Sequence, residues 1–268
     1  MKRQHGLVIL ILLLGTVCRT VYALPLCPSK PISVAFYHNG LFYHDGKGLD
    51  VDVINELQKR SQCQFNTSVM PRARIWNEIA AGRLAMSLSG IKTPARDMVV
   101  WFTPAYIFQK NYALLSPTVL KDRRTMDAFL RDPDYCWGVV RSFLHGGSLD
   151  RFIVTLRRQH RVSELPDGEA VARMLKAKWI AGMFAKPMVY RQLYAQHILS
   201  EEDHIVIVDW GEYAPLVPGS VILSKKMFSE TEAKAWGALI EQMNHDGTMK
   251  RLIGKYLNKE ETMAALAK

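Results

Sequence analysis

Cysteine is scarce in this chain, with four in 268 residues, and no two of them stand as Cys-x-x-Cys. No clustered His/Cys spacing accompanies them, so the sequence offers no structural zinc site. Past residue 23 there is no apolar run long enough to cross a membrane as a helix. A Gly-x-Ser-x-Gly elbow, a Ser/His/Asp spacing and a phosphate-binding glycine loop are all missing, which removes the usual signals of hydrolases and nucleotide enzymes. Low-complexity tracts and internal repeats are absent too. What is present is ordinary globular composition, 49% hydrophobic and 22% charged. It is enough chain for one large domain or two smaller ones.

The N-terminus departs from that composition. Lys2 and Arg3 precede the unbroken apolar run Leu7–Leu14, and Val21-Tyr22-Ala23 ends in the small residue a signal peptidase accepts. The run is too short for a permanent span. Residues 1–23 therefore read as a cleaved secretory signal, with Leu24 the first mature residue and the periplasm the expected location. Lipid attachment at Cys18 fits less well, because Val17 is bulky where such sites carry Gly, Ala or Ser.

The formal net charge is +10, and the segment 1–23 removes only the basic residues Lys2, Arg3 and Arg19. The remaining Lys and Arg are scattered, and an exported chain meets little nucleic acid. The positive excess reads as solubility and attraction for an anionic ligand. Export also permits a disulfide. Cys27 precedes the first strand-like run and Cys63 falls between the first helix and the next strand. A Cys27–Cys63 bridge is expected if those strands are neighbours, leaving Cys136 as a buried thiol.

Strand and helix signals alternate along the chain. Ile32–Tyr37 alternates as a strand does, and a helix opens at Gly48-Leu49-Asp50-Val51-Asp52 with Val53, Ile54 and Leu57 on one face. Phe65–Val69 reads as a strand, and Pro71-Arg72-Ala73-Arg74 leads into a helix closed by Gly82. Strands follow at Leu84–Leu88, before Tyr106, and at Asn111–Leu115. The second half repeats the pattern, with strands at Trp137–Val140, Trp179–Phe184, Ile205–Val208 and Ser220–Ser224. Helices are expected at 147–159, 168–176, 186–197, 231–244 and 249–257. Such alternation predicts α/β sheets with helices on both faces.

One stretch carries the chemistry. In Ser87–Tyr106 (SLSGIKTPARDMVVWFTPAY), Arg96 sits in a turn between two apolar strands, close to Ser89, Gly90 and Thr93. A guanidinium fork with hydroxyls and backbone N–H groups beside it suits a small carboxylate. A solvated turn arginine is the other reading of the same residues. The motif resembles the signature of the family 3 extracellular solute-binding proteins of the polar-amino-acid type: Ser-Gly, then Thr-Pro-x-Arg, then Phe-Ser/Thr-x-Pro-Tyr. The segments Gly48–Asp52, Pro71–Gly82 and Met243–Leu257 resemble further pieces of that family.

The resemblance implies a two-lobed periplasmic-binding-protein fold (type II), each lobe a central sheet flanked by helices, with solute held between the lobes. It places lobe one at 24–116 plus 217–268 and lobe two at 117–216. It makes Arg96 the carboxylate clamp, with Ser89, Gly90 and Thr93 beside it. Arg74, Phe36, Tyr37, Phe42 and Tyr106 become further lobe-one contacts, and Ser142 and Phe143 lobe-two contacts. Core packing and a surface helix-start arginine are the alternatives for these residues. The implied partners are a small anionic or zwitterionic solute and an ABC permease in the inner membrane. The protein itself is expected as a monomer without cofactor or catalytic residues.

Lobe two departs from the family pattern. Ala185 stands where the family carries the aspartate that meets a solute's amino group. A buried ammonium without an anion is costly. The solute therefore lacks an α-amino group, or its amine meets another acid such as Asp209 or Glu212. A dehydratase-like enzyme on the same fold would need a general acid in the cleft, and neither of those acids nor His145 stands out for it. A sensor that reports to a membrane partner is a third class. His38 and His44, six apart, lack a third ligand in the sequence.

Overall fold

The computed structural model describes residues 24–266, and the expected signal segment 1–23 lies outside them. Two five-stranded sheets organise the chain. The first half contributes β1 (Ile32–Phe36), α1 (Leu49–Ser61), β2 (Phe65–Val69), α2 (Arg72–Ala81), β3 (Met86–Gly90), the short α3 (Pro94–Asp97) and β4 (Val100–Gln109). The chain continues through β5 (Tyr112–Leu115), α4 (Met126–Arg131), β6 (Trp137–Val140), α5 (Gly147–Arg158), β7 (Val162–Leu165), α6 (Gly168–Lys176), β8 (Gly182–Ala185), α7 (Pro187–Ala195) and β9 (Val206–Val208). It ends with β10 (Val217–Ser224), α8 (Glu230–His245), α9 (Thr248–Ile253) and α10 (Lys259–Ala265).

The strand orders are β2-β1-β3-β10-β4 and β7-β6-β8-β5-β9. Each sheet is parallel until its return strand: β10 runs antiparallel to β3 and β4, and β5 antiparallel to β8 and β9. Alternation along the strands feeds a core on each face. In β1, Val34 and Phe36 join one cluster and Ala35 the opposite one. In β5, Ala113 and Leu115 face one side and Leu114 the other. Sheets covered on both faces follow from that period of two. Helix α1 packs Leu49, Val53, Ile54 and Leu57 against the first sheet, a stripe worth roughly 1.5–3 kcal/mol per fully buried side chain.

The first crossing between lobes differs from the one expected. Asn111–Leu115 was assigned to lobe one, but β5 hydrogen-bonds to β8 and β9 in the second sheet. The chain therefore crosses at Lys110-Asn111, directly after β4, and returns before β10. A short strand after a long one gives no sequence signal for the change of sheet, because both are apolar. Cys27 and Cys63 form a disulfide, tying the segment before β1 to the end of α1. Cys136 is half-buried rather than fully buried. Among the described residues, no helix is long and apolar enough to cross a membrane.

Candidate functional site

The cleft is built where β1, β3 and β4 of the first sheet face β6, β8 and the loop Arg141–Gly146 of the second. The loop after β1 turns back sharply at Gly48, whose φ of 131° leaves no room for a side chain: a Cβ would lie 2.3 Å from the Phe42 carbonyl oxygen. That turn starts α1 with Asp50 pointing inward, 2% exposed. Asp50 accepts hydrogen bonds from the Tyr106 hydroxyl (2.5 Å) and the Ser89 hydroxyl (3.2 Å). The Ser89 backbone N–H donates to the same tyrosine oxygen at 3.0 Å.

Beside this network lies Arg72, 3% exposed. It donates to the carbonyls of Leu88 and Ser89 at 3.1 and 3.2 Å. Its guanidinium carbon stands 4.6 Å from the centre of the Tyr37 ring and 5.0 Å from that of Trp76. Burial raises the Asp50 carboxyl to about 7 against the lowering pull of Tyr106, Ser89 and Arg72. A carboxyl raised in the folded state binds a proton that the unfolded chain has already lost. Its contribution is complete below the unfolded value of 3.8 and is lost as pH rises through 7. Denaturant midpoints are expected to fall between pH 5 and pH 8, and an Asp50→Asn variant to lose that slope. An unchanged slope in the variant would assign the pH dependence to other groups.

The second lobe brings Lys186, His145, Asn111 and Phe143. Lys186 follows β8 and is 6% exposed. Among the described residues its ammonium has no hydrogen-bond or ion-pair partner; it lies 6.0 Å from the centre of the Phe42 ring and 5.9 Å from that of Phe143. Burial, and then the nearby Arg72, push it down to about 8. His145 is 5% exposed, and burial, with Lys186 second, pushes it down to about 3.

These groups line a partly open cavity of about 50 Å³ between the lobes, together with Tyr37, Asn39, Ala185 and Glu169. The lobes meet around it. The Leu41 N–H donates to the Met188 carbonyl at 2.7 Å, and Arg96 donates to the Ser142 carbonyl at 2.9 Å. Gly40 makes the first of these approaches possible: with φ at 58°, a Cβ there would lie 2.5 Å from the Met188 carbonyl oxygen. Gly40→Ala is expected to leave each lobe folded but to weaken solute affinity at least about tenfold, because the clash is with backbone and the left-handed conformation adds about 1–2 kcal/mol. Titration calorimetry on the variant checks this, and parental affinity would show that closure does not use this contact.

The residues expected from sequence divide into two groups. Tyr37 and Phe143 line the cavity, with ring centres 6.5 Å apart across the lobes. Arg96 does not line it. Its guanidinium is stacked 4.2 Å over Trp76, donates to Ile91 and Ser142 carbonyls, and borders a second, open concavity with Ser142 and Phe143. Burial, with Arg72 second, lowers it to about 10. Thr93 caps α3 by accepting from the Arg96 N–H, and Gly90 packs against Ile222 of β10. Ser89 and Tyr106 serve Asp50. Phe36 stacks on Tyr43 in the lobe-one core, and Phe42 is buried there.

Arg74 is on the surface of α2, 3.8 Å from Glu78. Asp209 pairs with Lys110 and is exposed, as is Glu212; neither lines the cavity. His38, His44 and Asp45 bring ligand-type atoms within 4.8 Å of one another at the cleft mouth, and there His44 meets Gln196 and Glu169 of lobe two. Sequence reading missed Asp50, Arg72 and Lys186. Arg72 had a usable signal, since it shares the α2 stripe with Ile75 and Ile79.

Two sheet-based lobes, crossed twice by the chain and enclosing a cavity between them, define a two-lobed solute-binding protein. The pattern of the family model "Bacterial extracellular solute-binding proteins, family 3" matches residues 35–259. The chain belongs to that family. Among solved structures it is similar to the substrate-binding protein of an amino acid ABC transporter, at 14% identity and TM-score 0.68, covering 86% of this chain and 100% of that one. An ancestral amino-acid-binding protein described as a precursor of cyclohexadienyl dehydratase aligns at 16% identity and TM-score 0.67, covering 84% and 95%. A histidine kinase sensor domain aligns at 11% identity and TM-score 0.70, covering 89% and 98%. At these identities the likeness establishes the fold. Among curated protein sequences none matches this chain.

Proposed function

We propose that this protein captures a small carboxylate-bearing solute between its lobes outside the cytoplasm and delivers it to an ABC importer. The observation that carries the reading is Lys186, a buried ammonium that feels the Asp50 carboxylate but has no hydrogen-bond or salt-bridge partner among the described residues, on the wall of the interlobe cavity. An unpaired buried charge is expensive, and an incoming carboxylate supplies the missing partner through charge-assisted hydrogen bonds. In this reading Arg96 acts at the rim. Its bond to Ser142 fastens the lobes after the solute has entered, and closure excludes water from the ion pair. Tyr37 and Phe143 wall the cavity from opposite lobes.

Lys186, His145 and Glu169 line the cavity, and in this reading they hold the solute rather than turn it over. Asp50 has its carboxylate engaged by Tyr106 and Ser89, and it is not among the residues lining the cavity. The export reading favours capture over chemistry. Thermal shift and calorimetry of residues 24–268 against small organic acids test the reading. Saturable one-to-one binding without loss of the acid supports it, and conversion of the bound acid would replace it with an enzyme. Uptake in vesicles carrying a candidate permease, with and without the protein, separates delivery from sensing.

A further inference from the structure

We propose that the solute is a hydroxy acid without an amine, its carboxylate held by Lys186 and its hydroxyl donating to Nε2 of His145. The inference rests on reading the cleft as a carboxylate site and names the class of acid within it.

The argument turns on which ring nitrogen of His145 carries a proton. The Asn111 amide is oriented by its Nδ2, which donates to the His145 carbonyl at 2.9 Å. Its Oδ1 must then face the imidazole, and it lies 3.3 Å from Nδ1. An acceptor opposite Nδ1 places the proton there. The ring is neutral, because burial disfavours the imidazolium and Lys186 opposes it further. Nε2 is therefore a bare acceptor. It is buried and has no partner among the described residues. The loop is held for this purpose: Asp150 takes the backbone N–H groups of His145 and Gly146, each at 2.8 Å.

His145 is one of the residues lining the cavity, and a buried acceptor left without a partner there asks a ligand for a donor. An ammonium is a poor candidate. Strand β8 ends in Ala185, which offers no acid, and Lys186, the next residue, brings a positive charge to the cavity wall. Glu169, which does line the cavity, is engaged at the mouth by His44 (3.7 Å) and Arg173 (3.5 Å). The compact neutral donor for such an acceptor is a hydroxyl. Lys186 and His145 flank one ring, Phe143, whose centre is 5.9 Å from the ammonium and 5.2 Å from the imidazole centre. Both residues line the same cavity.

Titration calorimetry with matched acids tests this on the unmodified protein: lactate against propionate, 3-hydroxybutyrate against butyrate, malate against succinate, with alanine and aspartate as the amines. At least one hydroxy acid is expected to bind about 10- to 100-fold tighter than its deoxy partner, the cost of leaving a buried acceptor unpaired. In His145→Leu that ratio is expected to fall to about one. Equal binding within every pair would overturn the hydroxyl assignment and leave the carboxylate reading standing. Tighter binding of an amino acid than of its hydroxy counterpart would overturn the amine-free assignment. No binding by any acid of the set would overturn both.

Discussion

Lys186→Met is expected to lower affinity for every acid the protein binds by at least about 100-fold, and at the same time to raise the stability of the solute-free protein. The two effects have one cause. In the closed cleft the Lys186 ammonium is desolvated, which holds it near 8 instead of 10.5. That depression corresponds to roughly 3 kcal/mol against the folded state, by the conversion of about 1.4 kcal/mol per unit. Methionine has similar length and no charge to desolvate, so part of this penalty disappears. The carboxylate, however, loses the one buried cationic partner that the described residues place on the cavity wall, and truncating one side of a buried charge pair costs about 2–5 kcal/mol. A purely structural lysine would show the reverse pattern.

The pH dependence follows with a definite sign. The folded protein sheds the Lys186 proton at about 8 and the unfolded chain sheds it at 10.5, so between those values the unfolded state binds more protons. Stability rises with pH across that window as the penalty is relieved. Affinity falls across the same window, since the neutral amine no longer pairs with a carboxylate, although bound acid shifts the fall upward. Melting curves with and without solute from pH 7 to pH 10 are expected to converge. Methionine at 186 should abolish both trends. A variant that binds acids as the parent does would refute the assignment of Lys186.

Much of the fold was legible because period and punctuation agreed. Phe65–Val69, Trp137–Val140 and Gly168–Lys176 fall where alternation and helix caps place them. The elements not foreseen lack that agreement. Val162–Leu165 carries Ser163 and Glu164 on an edge strand, so its apolar signal is weak, and Met126–Arg131 is under two turns long. The family motif located the cleft but did not fix the direction of its side chains. Arg96 belongs to the recognised signature, yet its guanidinium lies on Trp76 at the rim. Lys186 belongs to no signature. It stands between a buried strand and Pro187 at the first turn of α7, and only the packed lobes show that its ammonium is enclosed.

The largest stability effect is expected at Arg72, and its neighbour provides the control. Sequence reading chose Arg74 from Pro71-Arg72-Ala73-Arg74. Residues two apart on a helix project about 200° apart, so only one of the two arginines can face the cleft. Ile75 and Ile79 are buried on α2, and Arg72 shares their side. Its two carbonyl bonds hold the end of β3, where Ser89 adopts a φ of 53°, and its charge offsets Asp50. Arg72→Met leaves those carbonyls and that carboxylate uncompensated, at a cost of about 3–5 kcal/mol. Arg74→Met removes an exposed pair with Glu78 at 3.8 Å and is expected to change stability by less than about 0.5 kcal/mol. Urea midpoints for the two variants decide the matter. If they shift equally, Arg72 does not brace the cleft; if only Arg72→Met shifts, the arginine that braces the cleft is the one in phase with the buried isoleucines.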